Sequence, residues 1–437
     1  MFPSLSTAFL VLLCFAGGLC FGGDSTPSKP IPSSPETSPW NFDELSKSPE
    51  FEWAEGKEIR SLYFKSEPYR GKQTRVFAYY ASPATLSNTP AGKKRFPGIV
   101  LVHGGKGRAY EGWVRLWASR GYAAIAMDLG GKGPVKGQLV TRGERQIKKH
   151  RPTILPDGGP RERHKEKFGV IDQPVTEQWT YHAVANVIRA HSLIRSFSEV
   201  DPDRMALTGI SWGGYLTCIV AGIDNRFKAA VPVYGCGFLH ENSFWRGTLD
   251  GMSAENRTKW IKLWDPSQYV GSATMPMLFV NGGKDFAYPP DSHAKTYALV
   301  KSPKNLHFVP NFPHGHFFDR PKAIEVFIRH HLKNGVPLAK IGSPQIEGEL
   351  VKAPVDTKTK LIKAELHYTL DALPGNPATR KWVTQPATIE TNTIITKRPP
   401  AEAKIWLLTV TDEDATLVSS QLMFPRREEV PSKKANF

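Results

Sequence analysis

The sequence predicts an α/β protein, a mostly parallel twisted sheet flanked by helices, followed by a small C-terminal β-sandwich. Three observations carry this. Strand-like apolar runs alternate with helix-period segments from Ile59 to Leu332. One of them, Met205–Leu207, leads through Gly209-Ile210-Ser211-Trp212-Gly213 into a helix-compatible stretch of small and apolar residues, Tyr215–Ala221. From about Gly342 the helical period stops, and segments rich in Thr, Val and Ile follow one another between Pro and Gly turns.

Taken in order, Ile59–Phe64 and Thr74–Tyr80 are separated by a segment holding Pro68 and Gly71 and predict an antiparallel pair at the sheet edge. Phe96–Val102 is a short apolar strand that enters His103-Gly104-Gly105-Lys106-Gly107. Trp113–Arg120 has a helical pattern that Gly121 stops, and Tyr122–Met127 is the next strand. In Glu177–Phe197, Val184, Val187, Ile188, His191 and Ile194 recur at helical spacing and give one buried face. Phe227–Tyr234, Pro276–Val280 and Leu306–Val309 are strand-like, and Pro321–Leu332 is a closing helix. Beyond it, Ile346–Lys352, Leu361–Leu370, Trp382–Ile389, Thr391–Lys397, Lys404–Thr411 and Ala415–Met423 predict a sandwich like an immunoglobulin or fibronectin type III module. Trp382 and Trp406 suit its core better than a carbohydrate-stacking face.

The domain boundaries expected are a signal peptide at 1–22, a linker at 23–50, an α/β domain at 51–338 with a basic insertion at 131–176, and the sandwich at 342–425. The signal reading rests on an apolar stretch, densest at Ala8–Phe15, followed by small residues and the polar segment Asp24–Pro39; it departs from the usual pattern in having no Lys or Arg at its start. A secreted or periplasmic protein is expected, with no stable membrane span after cleavage, since the apolar core is short for a full crossing. Cys14 and Cys20 leave with the signal, and Cys218 and Cys236 are expected to be buried free thiols in preference to a disulfide. The 437 residues are 40% hydrophobic and 11% aromatic, enough for a large core, and carry a formal charge of +16. That charge is scattered and lacks any nucleic-acid-binding signature, so no nucleic-acid partner is expected. The densest basic segment, Lys132–Lys167, is open to two readings: a solvated loop, or a lid that attracts an anionic glycan.

The chemistry centres on Ser211. A serine at the tip of a sharp turn between strand and helix needs neighbours without side chains, which Gly209 and Gly213 supply. Its hydroxyl is a poor nucleophile unless a base takes its proton and a carboxylate holds that base. Asp285 follows a strand and two glycines in Asn281-Gly282-Gly283-Lys284-Asp285 and is the candidate acid, with Asp291 second because it sits at the start of a helix. His314 and His316 follow the last strand in Phe312-Pro313-His314-Gly315-His316; either can serve as base, and His314, directly before a glycine, is favoured. The N–H of Trp212 at a helix start, with that of Gly105 or Lys106 in the Gly-rich run, would form an oxyanion hole. His103 suits loop packing. The Gly-rich run lacks the spacing of a phosphate-binding loop, and no His and carboxylate cluster has ligand spacing, so neither metal nor other cofactor is expected.

These residues together resemble the α/β-hydrolases. Val100-Leu101-Val102-His103-Gly104-Gly105, Gly209–Gly214, the Asp285 turn and His314-Gly315 are similar to the branch that holds acetyl xylan esterases, dienelactone hydrolases and the prolyl oligopeptidase catalytic domain. The resemblance covers roughly Ile59 to Leu332 and implies an α/β-hydrolase fold and a serine hydrolase with a Ser-His-Asp triad. A dienelactone hydrolase commonly uses cysteine where Ser211 stands, and a prolyl oligopeptidase carries a long propeller before its hydrolase domain. The expectation is therefore a secreted serine esterase acting on an acylated carbohydrate or other small ester. The alternatives are a prolyl oligopeptidase-like peptidase and, from another class, a catalytically silent glycan-binding protein.

Overall fold

The computed structural model describes residues 38–142 and 145–425. The expected signal peptide and most of the linker lie outside the described residues. The strands of the first part are β1 Phe51–Trp53, β2 Arg60–Tyr69, β3 Lys72–Ala81, β4 Phe96–Val102, β5 Ala123–Met127, β6 Lys132–Arg142, β7 Arg145–Ile154, β8 Val200–Ile210, β9 Ala229–Val233, β10 Met277–Lys284 and β11 Lys304–Pro313. Between them lie α1 Phe42–Leu45, α2 Pro83–Leu86, α3 Glu111–Ser119, α4 His164–Phe168, α5 Trp179–Arg195, α6 Trp212–Ala221, α7 Arg246–Asp250, α8 Ala254–Trp264, α9 Pro290–Leu299 and, last, α10 Lys322–Lys333.

Every residue of β4, β5 and β9 is buried, as strands covered by helices on both faces require. The main sheet runs β1-β2-β3-β5-β4-β8-β9-β10-β11, antiparallel from β1 to the β3–β5 pair and parallel from β5 onward. This is an α/β-hydrolase fold. From β4 the chain steps to β5 on one side, then returns through α5 to place β8 on the other. The carboxyl ends of β4 and β8 thus flank the point where the strand order reverses, which is where open α/β sheets leave a crevice. The register Val102↔Gly209 sets the Gly-rich run after β4 directly beside the turn after β8.

Two stretches differ from the sequence reading. The basic insertion holds a two-stranded antiparallel ribbon, β6 and β7, paired only with itself among the described residues. Between Tyr234 and Pro276, α7 and α8 add helices that the periodicity did not reveal, because α8 buries only Trp260 and Trp264. Cys218 and Cys236 are free and buried. No helix among the described residues is long and apolar enough to cross a membrane.

The C-terminal region is β-rich: β12 Lys340–Ile341, β13 Gln345–Glu347, β14 Leu350–Asp356, β15 Leu361–Thr369, β16 Val383–Glu390, β17 Thr393–Lys397, β18 Ile405–Asp412 and β19 Leu417–Ser419. β16 pairs with β15 over Val383–Ala387 and with β17 over Thr388–Glu390, so one strand serves two layers. Val351, Leu366, Ile394, Trp406 and Leu408 fill the space between them. The region also extends the main sheet, because β19 pairs with β11 at Ser419↔Leu306.

Candidate active site

Ser211 stands between the end of β8 and the first turn of α6, with φ 61° and ψ −120°. A side-chain-bearing residue in that region is strained by about 1–3 kcal/mol, so the surroundings must hold it there. They do so on both sides: the Ser211 N–H donates to Val233 O at 2.9 Å, and Ser211 O accepts from Tyr215 N at 2.9 Å. The flanking glycines are required by contact. A Cβ on Gly213 would overlap the carbonyl of Val102 at the end of β4, and one on Gly209 would overlap the carbonyl of Gly213.

The His314 ring, after β11, bridges two groups. Its Nε2 lies 2.9 Å from Ser211 Oγ, and its Nδ1 lies 3.0 Å from Asp285 Oδ2. With the proton on Nδ1, the imidazole donates to the carboxylate and accepts from the hydroxyl. Asp285 is 0% exposed, and its Oδ1 accepts from the N–H groups of Ala287 at 2.7 Å and Tyr288 at 2.9 Å. Four donors and acceptors are thus fixed in one line from three strand ends. His316 lies outside that line, its Nε2 against Gly104 and its ring 6.2 Å from that of Tyr110. Burial, then the neighbouring His314, lowers its pKa from the ordinary histidine value. Asp291, at the start of α9, accepts from Asn242 Nδ2 at 3.0 Å through both oxygens instead.

On the other side of Ser211 lies the Gly104–Gly107 loop. A Cβ on Gly104 would sit 3.0 Å from Ser211 Cβ, and one on Gly105 would sit 2.7 Å from Trp212 Cδ1. Neither the Gly105 nor the Trp212 N–H has a protein acceptor among the described residues, so both are free to meet a substrate oxygen. His103 is buried beneath the loop; its Nδ1 donates to Gly104 O at 2.8 Å and its Nε2 accepts from Leu129 N at 3.0 Å. Burial pushes its pKa down to about 4, and the ring works as a neutral loop brace. Lys132 Nζ holds the loop from outside by donating to Gly107 O.

The acetyl xylan esterase (AXE1) family model matches residues 43–287, more than half of the chain. The chain belongs to the acetyl xylan esterase family. The match takes in Ser211 and Asp285 and ends before His314. A second model, for a PhoPQ-activated pathogenicity-related protein, matches residues 242–367. An uncharacterized peptidase of Bacillus subtilis, YuxL, is 25% identical over 51% of this chain and 31% of its own length, so the chain spans about a third of that relative. Among solved structures, an acetyl xylan esterase from Paenibacillus is 22% identical with a TM-score of 0.49, over 67% of this chain and 92% of that one. Another, from Thermoanaerobacterium, is 17% identical with a TM-score of 0.49, over 68% and 95%.

The structure adds residues to the site of this family member that the sequence reading missed. Phe286, next to Asp285, is 55% exposed with its ring 4.9 Å from that of His314. Phe244, 65% exposed, lies 5.7 Å from Phe286 in an edge-on contact, and its N–H donates to Ala287 O at 3.1 Å. Two large apolar rings thus form an open rim beside the imidazole. Glu162, from the insertion, accepts from Lys106 N at 3.1 Å. No spacing rule reaches these residues, since each arrives on a separate loop. Among the described residues, no group of three or more His, Cys, Asp or Glu side chains is placed to hold a metal ion.

Proposed function

We propose that this protein is an exported serine esterase that removes acyl groups, acetyl foremost, from a carbohydrate. The observation that carries the reading is the pair of hydrogen bonds on His314, 2.9 Å to Ser211 and 3.0 Å to Asp285. Ser211 Oγ attacks the ester carbonyl while His314 Nε2 takes its proton, and Asp285 keeps the Nδ1–H tautomer in place. The oxygen of the tetrahedral intermediate takes hydrogen bonds from Gly105 and Trp212 N–H. His314 then gives the proton to the leaving alcohol, and water enters by the same route to release the acid from Ser211.

Membership of the acetyl xylan esterase family supports the ester and the carbohydrate. The rim supports the alcohol half. The group that leaves must lie against His314, and there Phe286 and Phe244 offer an apolar surface to the C–H face of a sugar ring. The test is release of acetate from acetylated xylo-oligosaccharides, with Ser211→Ala as control and fluorophosphonate labelling of Ser211 as a separate readout. Labelling without acetate release, together with cleavage of proline- or acylaminoacyl-linked chromophores, would move the reading to a peptidase; no labelling would leave a glycan binder. An anionic glycan as the preferred substrate requires kcat/KM to fall with added salt. Export requires a mature N-terminus after the 1–22 segment when the secreted protein is sequenced.

A further inference from the structure

The basic insertion returns to the site through an ion pair that the reaction as written does not use. Glu162 and Lys167 meet at 2.7 Å, with side chains 2% and 8% exposed. Around them, Arg161 donates to the carbonyls of Gly130 at 3.2 Å and Gly131 at 2.8 Å, which ties the segment to the turn between β5 and β6. Lys167 O accepts from Trp260 Nε1 at 2.9 Å. Taking two charges out of water costs several kcal/mol per ion, and a buried pair is seldom a net gain over apolar packing. What the pair touches is more telling. One carboxylate oxygen, Oε2, takes the Lys106 N–H at 3.1 Å, and the other, Oε1, takes the ammonium. The ammonium lies over the Trp212 ring, 4.2 Å from its centroid, and over the Trp179 ring at 4.7 Å.

We infer that Glu162 and Lys167 together position the two oxyanion donors, Glu162 by holding the loop at Lys106 and Lys167 by holding Trp212. Resting on the esterase reading above, the inference makes both positioning residues, neither of which touches substrate. Lys106 has φ 60°, a conformation that costs a non-glycine residue energy, and its N–H is taken up by Glu162 Oε2. That hydrogen bond leaves the preceding amide, Gly105 N–H, as the loop's donor. The carboxylate is also close, since a Cβ on Gly105 would lie 3.4 Å from Glu162 Oε1. A lone negative charge behind an oxyanion would oppose its formation. Lys167 cancels that charge and sets its own positive end against the residue that carries the second donor.

The test uses the full chain, para-nitrophenyl acetate as substrate and phenylboronic acid as a mimic of the tetrahedral intermediate. Glu162→Ala is expected to lower kcat about tenfold, less than loss of a whole oxyanion donor, with KM within about twofold and the boronate Ki raised by the same factor as kcat falls. Glu162→Gln, which keeps an oxygen for Lys106 N–H, is expected to recover most of that loss. Lys167→Met leaves the carboxylate uncompensated and is expected to cost more than Glu162→Ala, with the pair Glu162→Gln/Lys167→Met milder than Lys167→Met alone. If Lys167→Met does not fold, the two Glu162 variants decide. A folded Glu162→Ala protein with kcat and boronate Ki within twofold of the parent, or with kcat reduced and Ki unchanged, overturns the inference. A parent inert to both the ester and a fluorophosphonate removes the nucleophile reading and this one with it.

Discussion

Ser211 illustrates how a single residue can be read from its neighbours before any coordinate is known. Its φ of 61° is tolerable only where Gly209 and Gly213 let the ends of β8, β4 and α6 close around it, and those glycines are written in the sequence. The choice between His314 and His316 was not. Both follow β11, two positions apart, and only the path of the loop puts one imidazole 2.9 Å from Ser211 Oγ and the other against Gly104. In the proposed mechanism His314→Ala removes base and leaving-group acid together, and it is expected to lower kcat by at least about 10⁴-fold. His316→Gln, which removes only a neutral ring beside the loop, is expected to cost less than about tenfold. Comparable kcat losses for the two would show that the geometry at His314 is not the one used.

At the level of elements, the C-terminal β-rich region bears on the turn that carries Asp285. Lys284, at the end of β10, donates to Ala378 O at 3.1 Å and to Arg380 O, and Arg380 Nη1 donates to Gly283 O at 3.4 Å. The Trp382 ring packs 5.8 Å from Phe308 on β11 and fills the space beside Gly283, where a Cβ would have no room. Trp382 was expected to anchor a sandwich core; it is half-buried and packs on the hydrolase sheet, while Trp406 is the buried one. Trp382→Ala is therefore expected to lose about 2 kcal/mol of stability, less than a fully buried Trp because the side chain is only partly buried to begin with. It is also expected to lower kcat several-fold through a looser Asp285 turn; denaturant midpoints and kcat measured on the same preparation check both. A stability loss with kcat unchanged would make the C-terminal contact a prop for the fold alone. The β6–β7 ribbon was illegible at this scale for a plain reason. Among the described residues the ribbon pairs only with itself, so no neighbouring strand of the main sheet fixes its register and imposes the apolar alternation by which strands are recognised.

Across the whole molecule, stability is tied to pH through buried histidines. His293, on α9, is fully buried; neither ring nitrogen has a partner among the described residues, and burial pushes its pKa down to about 3. His103 and His307 are likewise held at about 4 by burial. Between the unfolded value near 6.5 and these folded values, the unfolded chain binds protons that the folded one refuses. The stability these groups contribute is thus fully present above about pH 6.5 and falls as pH drops toward 4 and 3, at about 1.4 kcal/mol per pH unit for each group. His293→Leu fills the same apolar space without an orphaned polar ring. It is expected to leave stability at pH 7 equal or higher and to reduce the loss between pH 7 and pH 5 by about 2 kcal/mol, read from urea unfolding at the two pH values. An unchanged pH dependence would mean that His293 takes its proton inside the folded protein.

The sequence by itself determined the strand and helix alternation, the sharp turn at Ser211, the carboxylate of Asp285 after β10 and the β-rich C-terminal region. These are local properties: burial on both faces makes continuous apolar runs, a strained turn demands glycine, and a carboxylate at a strand end follows the strand. Only the tertiary structure decided which histidine meets the serine, and it alone brought Glu162, Lys167, Phe244, Phe286 and Trp382 to the same place. They come from separate segments of the chain, Glu162 and Lys167 together from the insertion, and a contact between distant segments leaves no period or spacing in the chain, because it depends on where strands β4, β5, β8, β10 and β11 set the loop ends in space.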